Sequence, residues 1–153
     1  MEDQSTGLKN RNAFEKLLGD TRDTVFPLLA CIFLDANGLH ELNNALGHAA
    51  GDQMLRAIAD GLRDTFPGRD MFRIGGDEFV VLCRDGAPDA CAEKLDHFIQ
   101  RIEAEGYSVS YGIVNAENET GLERVIQEAD DRMLAHKRTY YDQHDRRRKE
   151  RRV

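Results

Sequence analysis

Ile74-Gly75-Gly76-Asp77-Glu78-Phe79-Val80-Val81-Leu82-Cys83 is the stretch from which the rest of the chain can be ordered. Adjacent glycines between strand-like segments favour a tight hairpin, because such turns use positive φ, which glycine adopts at little cost. The run from Glu78 to Cys83 has the length and β-branched content of a buried strand. Asp77 and Glu78 therefore stand where a rigid strand leaves a hairpin tip. Successive strand side chains point to opposite faces, but the alternation relaxes at a turn, so both acids can approach one point there. Two carboxylates on a rigid element suit a divalent cation or proton transfer. A solvated acidic turn is the other reading of these residues taken alone.

Upstream, residues 71–74 read as a short strand, and Pro67-Gly68 stops a helix expected over about residues 52–66, with Leu55, Ile58, Ala59 and Leu62 at helical spacing. Residues 37–51 are rich in Asn, Gly and His, with a short helical piece around Leu39, Leu42 and Leu46. Residues 26–34 are apolar throughout and end at Asp35, the pattern of a central strand covered on both faces. Phe14, Leu17 and Leu18 form one side of a short N-terminal helix. Downstream, residues 89–104 read as a helix with Leu95, Phe98, Ile99 and Ile102 inward, ended by Gly106, and residues 107–114 as a strand. A last helix is expected from Thr120 to about Lys137, opened by a Thr120/Glu123 capping box and carrying the stripe Leu122, Val125, Ile126, Ala129, Met133 and Leu134.

Strand, helix, strand, strand, helix, strand is the βαββαβ pattern. It predicts an α+β fold, with a ferredoxin-like, palm-type central antiparallel sheet, surrounding helices and a C-terminal helix. If the first strand neighbours the third, Asp35 meets Asp77 and Glu78 at one edge of the sheet. Three oxygen donors from two strands suit Mg²⁺.

The 153 residues, 41% of them hydrophobic, suffice for one domain with a sizeable core. No apolar run approaches the roughly 20 residues of a membrane helix, and the first residues lack a signal segment. Cys31, Cys83 and Cys91 are odd in number and lack metal spacing, and Cys31 and Cys83, in apolar runs, read as buried free thiols, which favours a reducing, cytoplasmic setting. The last eight residues hold six cations against Glu150 alone, a net of +5, which leaves −12 on the rest of a chain of net charge −7. An acidic body argues against nucleic acid as the main partner. The chain divides into a domain over 1–140 and a basic tail over 141–153.

Gly75-Gly76-Asp77-Glu78-Phe79 spells the GGDEF signature, and the chain resembles the diguanylate cyclase family of that name. Residues 35–52 are similar to the family's upstream block, with Asp35, Asn43, Gly47-His48 and Gly51-Asp52 in register. Asp3, Thr6-Gly7-Leu8 and Asn10-Arg11 resemble its opening motif, Ser110-Tyr111-Gly112-Ile113 its late strand, and Ala129-Asp130, Met133-Leu134 and Lys137 its closing helix. The resemblance covers about residues 3–138.

The resemblance implies condensation of two GTP molecules into cyclic di-GMP, with release of pyrophosphate, by two such domains facing each other as a homodimer. It implies Asp35, Glu78, Asp77 and the Ala36 carbonyl as metal ligands for two Mg²⁺ per GTP, with Mn²⁺ as the alternative ion. Asp77 or Glu78 would help deprotonate the attacking 3′-hydroxyl. Asn43 and Asp52 would read the guanine edge, the N–H groups of Gly38, Leu39 and His40 would cradle phosphates, Gly75 and Gly76 would keep the hairpin bare for the nucleotide, and Lys137 would sit on the phosphate side. Because the chain opens on the family's first motif, a sensory region is expected upstream of it.

Two departures bear on activity. His40 stands where the family usually has Lys, and Tyr141 where it usually has Arg, so two phosphate-side cations are lost and turnover is expected to be weakened. The stretch before the signature has no Arg-x-x-Asp, so product inhibition through the family's usual site is not expected. The rival expectations are a degenerate domain that binds GTP or a partner without turnover, and a related activity on another nucleotide.

Overall fold

The computed structural model describes residues 1–84 and 88–151, and the side chains among them except those of residue 88 and residues 145–151. The elements run α1 (Arg11–Asp20), β1 (Val25–Ala36), α2 (Leu39–Leu46), α3 (His48–Thr65), β2 (Asp70–Arg73), β3 (Glu78–Cys83), α4 (Pro88–Ala104), β4 (Val109–Thr120) and α5 (Glu123–Arg151). The four strands form one antiparallel sheet in the order β2-β3-β1-β4. This is the expected βαββαβ arrangement, with β1 in the interior of the sheet.

The apolar run of β1 is explained by what covers it. Ala30, Ile32, Leu34 and Ala36 face a core shared with Leu55, Ile58 and Leu62 of α3 and Leu95, Phe98 and Ile102 of α4. Leu29, Cys31 and Phe33 face a second core with Phe14 of α1, Leu122 just before α5, and Val125, Ala129 and Met133 of α5. A strand buried on both faces has no polar side to alternate with. Pro27 is tolerated in β1 because β3 pairs only from Ala30 onward, so that end of the strand has β4 alone beside it. All three cysteines are free and buried, Cys31 and Cys83 as expected, and burial together with the adjacent Cys91 pushes the Cys83 thiol up to about 12.

Several boundaries differ from the expectation. Thr120 is the last residue of β4, paired with Val25, and Glu123 opens α5. The capping box is therefore not built at those positions, because strand pairing with β1 holds Thr120 extended. Helix α3 begins at His48, not Asp52, since Gly47 at φ 88 turns the chain directly from α2 into α3. Helix α5 runs on to Arg151, well past Lys137. The expected boundary at 140/141 falls within it. The cationic side chains of the tail lie outside the described residues. Gly75 and Gly76 do not have positive φ. The hairpin they form spans Ile74 to Glu78, joined by the Ile74 N–H to Glu78 carbonyl bond of 3.0 Å, without left-handed backbone. Among the described residues, no helix is long and apolar enough to cross a membrane.

Candidate active site

The β1–β3 register sets Asp35 opposite Glu78. Directly opposed residues of an antiparallel pair share a face, here the face covered by α5. Asp77 precedes β3, where the pleat has not yet begun, and its carbonyl accepts the Ala36 N–H at 2.8 Å. One carboxylate oxygen from each of Asp35, Asp77 and Glu78 lies within 4.8 Å of the other two. The three acids therefore converge as the spacing predicted.

Asp35 is only 2% exposed. Its Oδ2 accepts from Lys137 Nζ at 3.2 Å, and its Oδ1 is buried with no hydrogen-bond partner. Burial above all, and then the charge of Asp77, pushes its carboxyl up to about 6, against the opposing pull of Lys137. Burial, Asp77 and Asp130 hold Glu78 above the usual range in the same sense. Burial works against the charge of Lys137, but Asp35 outweighs it and holds the ammonium above its ordinary value. An orphaned buried oxygen beside two further carboxylates, with Asp35 and Glu78 raised by burial first and then by the charge of Asp77, is a set of hard oxygen donors short of positive charge. These residues fit a divalent cation.

Two arginines hold the hairpin tip. Arg73 Nη2 donates to the Gly76 carbonyl at 2.8 Å and its Nη1 to both Asp3 oxygens at 3.1 Å, while Arg11 Nη1 donates to the Ile74 carbonyl at 3.1 Å. Arg73 thus pairs with an acid, Asp3, as well as with the hairpin backbone. The loop after β1 is pinned by Asn37, which is buried. Its Nδ2 donates to Ser108 Oγ at 3.0 Å and its Oδ1 accepts from Ser110 Oγ at 2.7 Å. Nothing in local periodicity signals this pair of bonds to β4.

Asn43 and Asp52 sit at the far end of α2 and near the start of α3. From Gly38 to Asn43 the rise along α2 is about 7 Å, on the scale of the sugar that separates base from phosphate in a nucleotide. Asn43 lies against Gly51, and its Oδ1 is buried and unpartnered. A Cβ on Gly51 would land on that oxygen, with Asn43 Cγ only 2.7 Å away. Under the resemblance's assignment of Asn43 to the guanine edge, Gly51→Ala is expected to raise the KM for the nucleotide about tenfold or more by expelling the Asn43 amide. Melting should hold or rise slightly, because Ala is the better helix former by about 1 kcal/mol. Parallel steady-state kinetics and thermal melts would check the two halves of that expectation.

Leu39 is half-buried on α2, and His40 is exposed, with no hydrogen bond or ion pair among the described residues. Cavities of about 400 Å³ beside Phe72 and about 410 Å³ beside Phe26 lie toward β2, and none of Asp35, Asn43, Asp52, Asp77, Glu78 and Lys137 lines them. Donor chemistry, not volume, locates the site.

Residues 1–143 match the family described as diguanylate cyclase, GGDEF domain. The chain is 35% identical over 101 residues to cyclic di-GMP phosphodiesterase PdeB of Shewanella oneidensis, covering 65% of this chain and 12% of that one. It is 39% identical over 107 residues to diguanylate cyclase TpbB of Pseudomonas aeruginosa, covering 67% of this chain and 25% of TpbB. The solved GGDEF domain of TpbB superposes with a TM-score of 0.74 at 29% identity, over 91% of this chain and 90% of that structure. The chain thus spans a quarter or less of the curated sequences named here. With the signature on a hairpin, its two acids facing Asp35 across the sheet and nearly the whole length matched, this chain belongs to the GGDEF family of diguanylate cyclase domains.

Proposed function

We propose that the chain condenses two GTP into cyclic di-GMP, releasing two pyrophosphates, as one half of a homodimer in which each copy presents one GTP. The observation that carries this reading is the convergence of Asp35, Asp77 and Glu78, with an unpartnered buried oxygen, where β1 ends beside the start of β3. Asp35, Glu78, Asp77 and the Ala36 carbonyl would hold Mg²⁺, two ions per GTP. Bound there, divalent cations neutralise triphosphate charge and lower the pKa of a 3′-hydroxyl.

The remaining work belongs to side chains and backbone. Asn43 offers an amide and Asp52 a carboxylate, which suit the acceptor and donor edges of guanine. Gly75 and Gly76 present a hairpin without side chains, and nothing lies within 4 Å of a Cβ added at Gly76. The elevated Glu78 carboxylate, next to Asp77, suits proton removal from the attacking hydroxyl. Phosphoryl transfer asks for little beyond such positioning and charge.

A second reading, nucleotide binding without turnover, has its own observation. His40 stands in solvent, and Lys137 is engaged by Asp35. Chromatography of products after incubation of concentrated protein with Mg²⁺ and either GTP or ATP separates these readings. Cyclic di-GMP from GTP supports the first, retained GTP without product supports the second, and a cyclic product from ATP refutes the guanine assignment. Restoring a phosphate-side cation tests the expected weakening of turnover directly. His40→Lys is expected to raise kcat/KM for GTP by about tenfold or more, the worth of one charge-assisted contact. An unchanged or lower value would show that position 40 does not face the phosphates.

A further inference from the structure

The phosphate side of the site carries a contact that local sequence does not predict. Helix α5 reaches the end of β1 and the loop after it through two residues one helical turn apart. Lys137 meets Asp35, and the Tyr141 hydroxyl accepts from the Gly38 N–H at 3.3 Å. Gly38 is the N-cap of α2, at φ 74 and ψ 17, with no side-chain cap. Its N–H belongs to the first donors of a helix, which have no intrahelical partner and favour negative charge. The unpartnered Asp35 Oδ1 marks the same locality as one arranged for a ligand. A triphosphate seated over the three carboxylates brings its outer phosphates to these donors. The phenol oxygen of Tyr141 stands on one of them.

Tyr141 is held in that position. Its ring meets Tyr140 edge-on at 5.2 Å, and Tyr140 stacks on His144 at 3.9 Å. The Tyr140 side of the helix lines a cleft with Asn37, Gly38 and Ser108, the residue just before β4. The segment of α5 beyond Lys137 is thereby docked on the same loop that Asn37 pins from below.

We propose that Tyr141 gates the triphosphate: in the nucleotide-free chain its hydroxyl occupies the Gly38 N–H, and bound phosphate takes its place. The proposal rests on the GTP reading above. Its mark is selectivity by phosphate. Binding of the distal phosphates must displace the hydroxyl, whereas binding of the base need not.

The test compares the chain with Tyr141→Phe, by calorimetric titration in Mg²⁺ with guanosine, GMP, GDP and a GTP analogue whose α,β-bridging oxygen is replaced by methylene. The analogue is expected to bind the variant about two- to tenfold more tightly, the worth of one neutral hydrogen bond. Guanosine should bind both alike, and the Gly38 amide should exchange faster with solvent in the ligand-free variant. Weaker binding of the analogue overturns the proposal, because the hydroxyl is then a phosphate donor. An equal change for all four ligands overturns it as an effect on the whole site. Unchanged binding of every ligand sinks the gate alone, while no binding by either protein overturns the guanine-nucleotide reading along with it.

Discussion

Asp35→Asn is expected to lower cyclic di-GMP formation by a thousandfold or so, and yet to raise the melting temperature of the metal-free chain above pH 6. The first effect follows from removing the acid that β1 contributes to the trio, a loss of several kcal/mol of charge stabilisation in the transition state. The second follows from the direction of the Asp35 shift. Its carboxyl, ordinarily near 3.8, is pushed up to about 6, by burial first and then by Asp77. The folded chain therefore holds the proton more tightly than the unfolded chain. That contribution to stability is fully present below the unfolded value and is lost as pH rises through about 6. Across that window the ionised group costs up to about 3 kcal/mol. An amide of the same shape does not ionise, so the variant escapes the loss, even though Lys137 gives up its partner. Melts in a chelator at pH 5 and pH 8, followed by Mg²⁺ titration, read the effect. The chain should lose stability between the two pH values more than the variant does, and Mg²⁺ should restore it in the chain alone. A variant that melts lower at pH 8 in chelator would refute the account of the site as a charge-starved cluster.

Gly112→Ala is expected to destabilise the fold by about 3 kcal/mol or more, the range of a severe steric substitution. Gly112 lies in β4 under α5. A Cβ there would fall on the Ala129 carbonyl oxygen, 2.6 Å from the Met133 backbone nitrogen and 2.7 Å from Arg132 Cβ. Two of those neighbours are helix backbone, which no rotamer change can move aside. Helix α5 would have to lift away, taking Val125, Ala129 and Met133 out of the second core and carrying Lys137 away from Asp35. Denaturant unfolding should show the loss. Gly19→Ala is the matched control, because nothing lies within 4 Å of its added Cβ and the exchange is favourable in a helix by up to about 1 kcal/mol. Equal stability of the two variants would mean that α5 does not pack on Gly112 as described.

How much of the site was legible depends on the range of the interaction. The double coverage of β1 could be read from its unbroken apolar run, since burial on both faces leaves no polar alternation. The meeting of Asp35 with Asp77 and Glu78 could be read once the first and third strands were taken as neighbours. The glycines of the hairpin were read correctly as a turn and wrongly as a source of positive φ. Thr120 was misassigned because capping chemistry and a strand end look alike locally, and only pairing with Val25 separates them. Asn37 with Ser108 and Ser110, and Tyr141 with Gly38, could not be read at all.

By itself, the sequence determined the order of the elements, the faces they bury and the identity of the acids, because those depend on periodicity and residue type over a few neighbours. The tertiary structure decided the register that sets Asp35 opposite Glu78, the lone oxygen left unpartnered there, and the reach of α5 to residues 102 and 103 positions away in the chain. Those outcomes turn on how whole elements pack together, and packing at that distance leaves no trace in the local pattern of either partner.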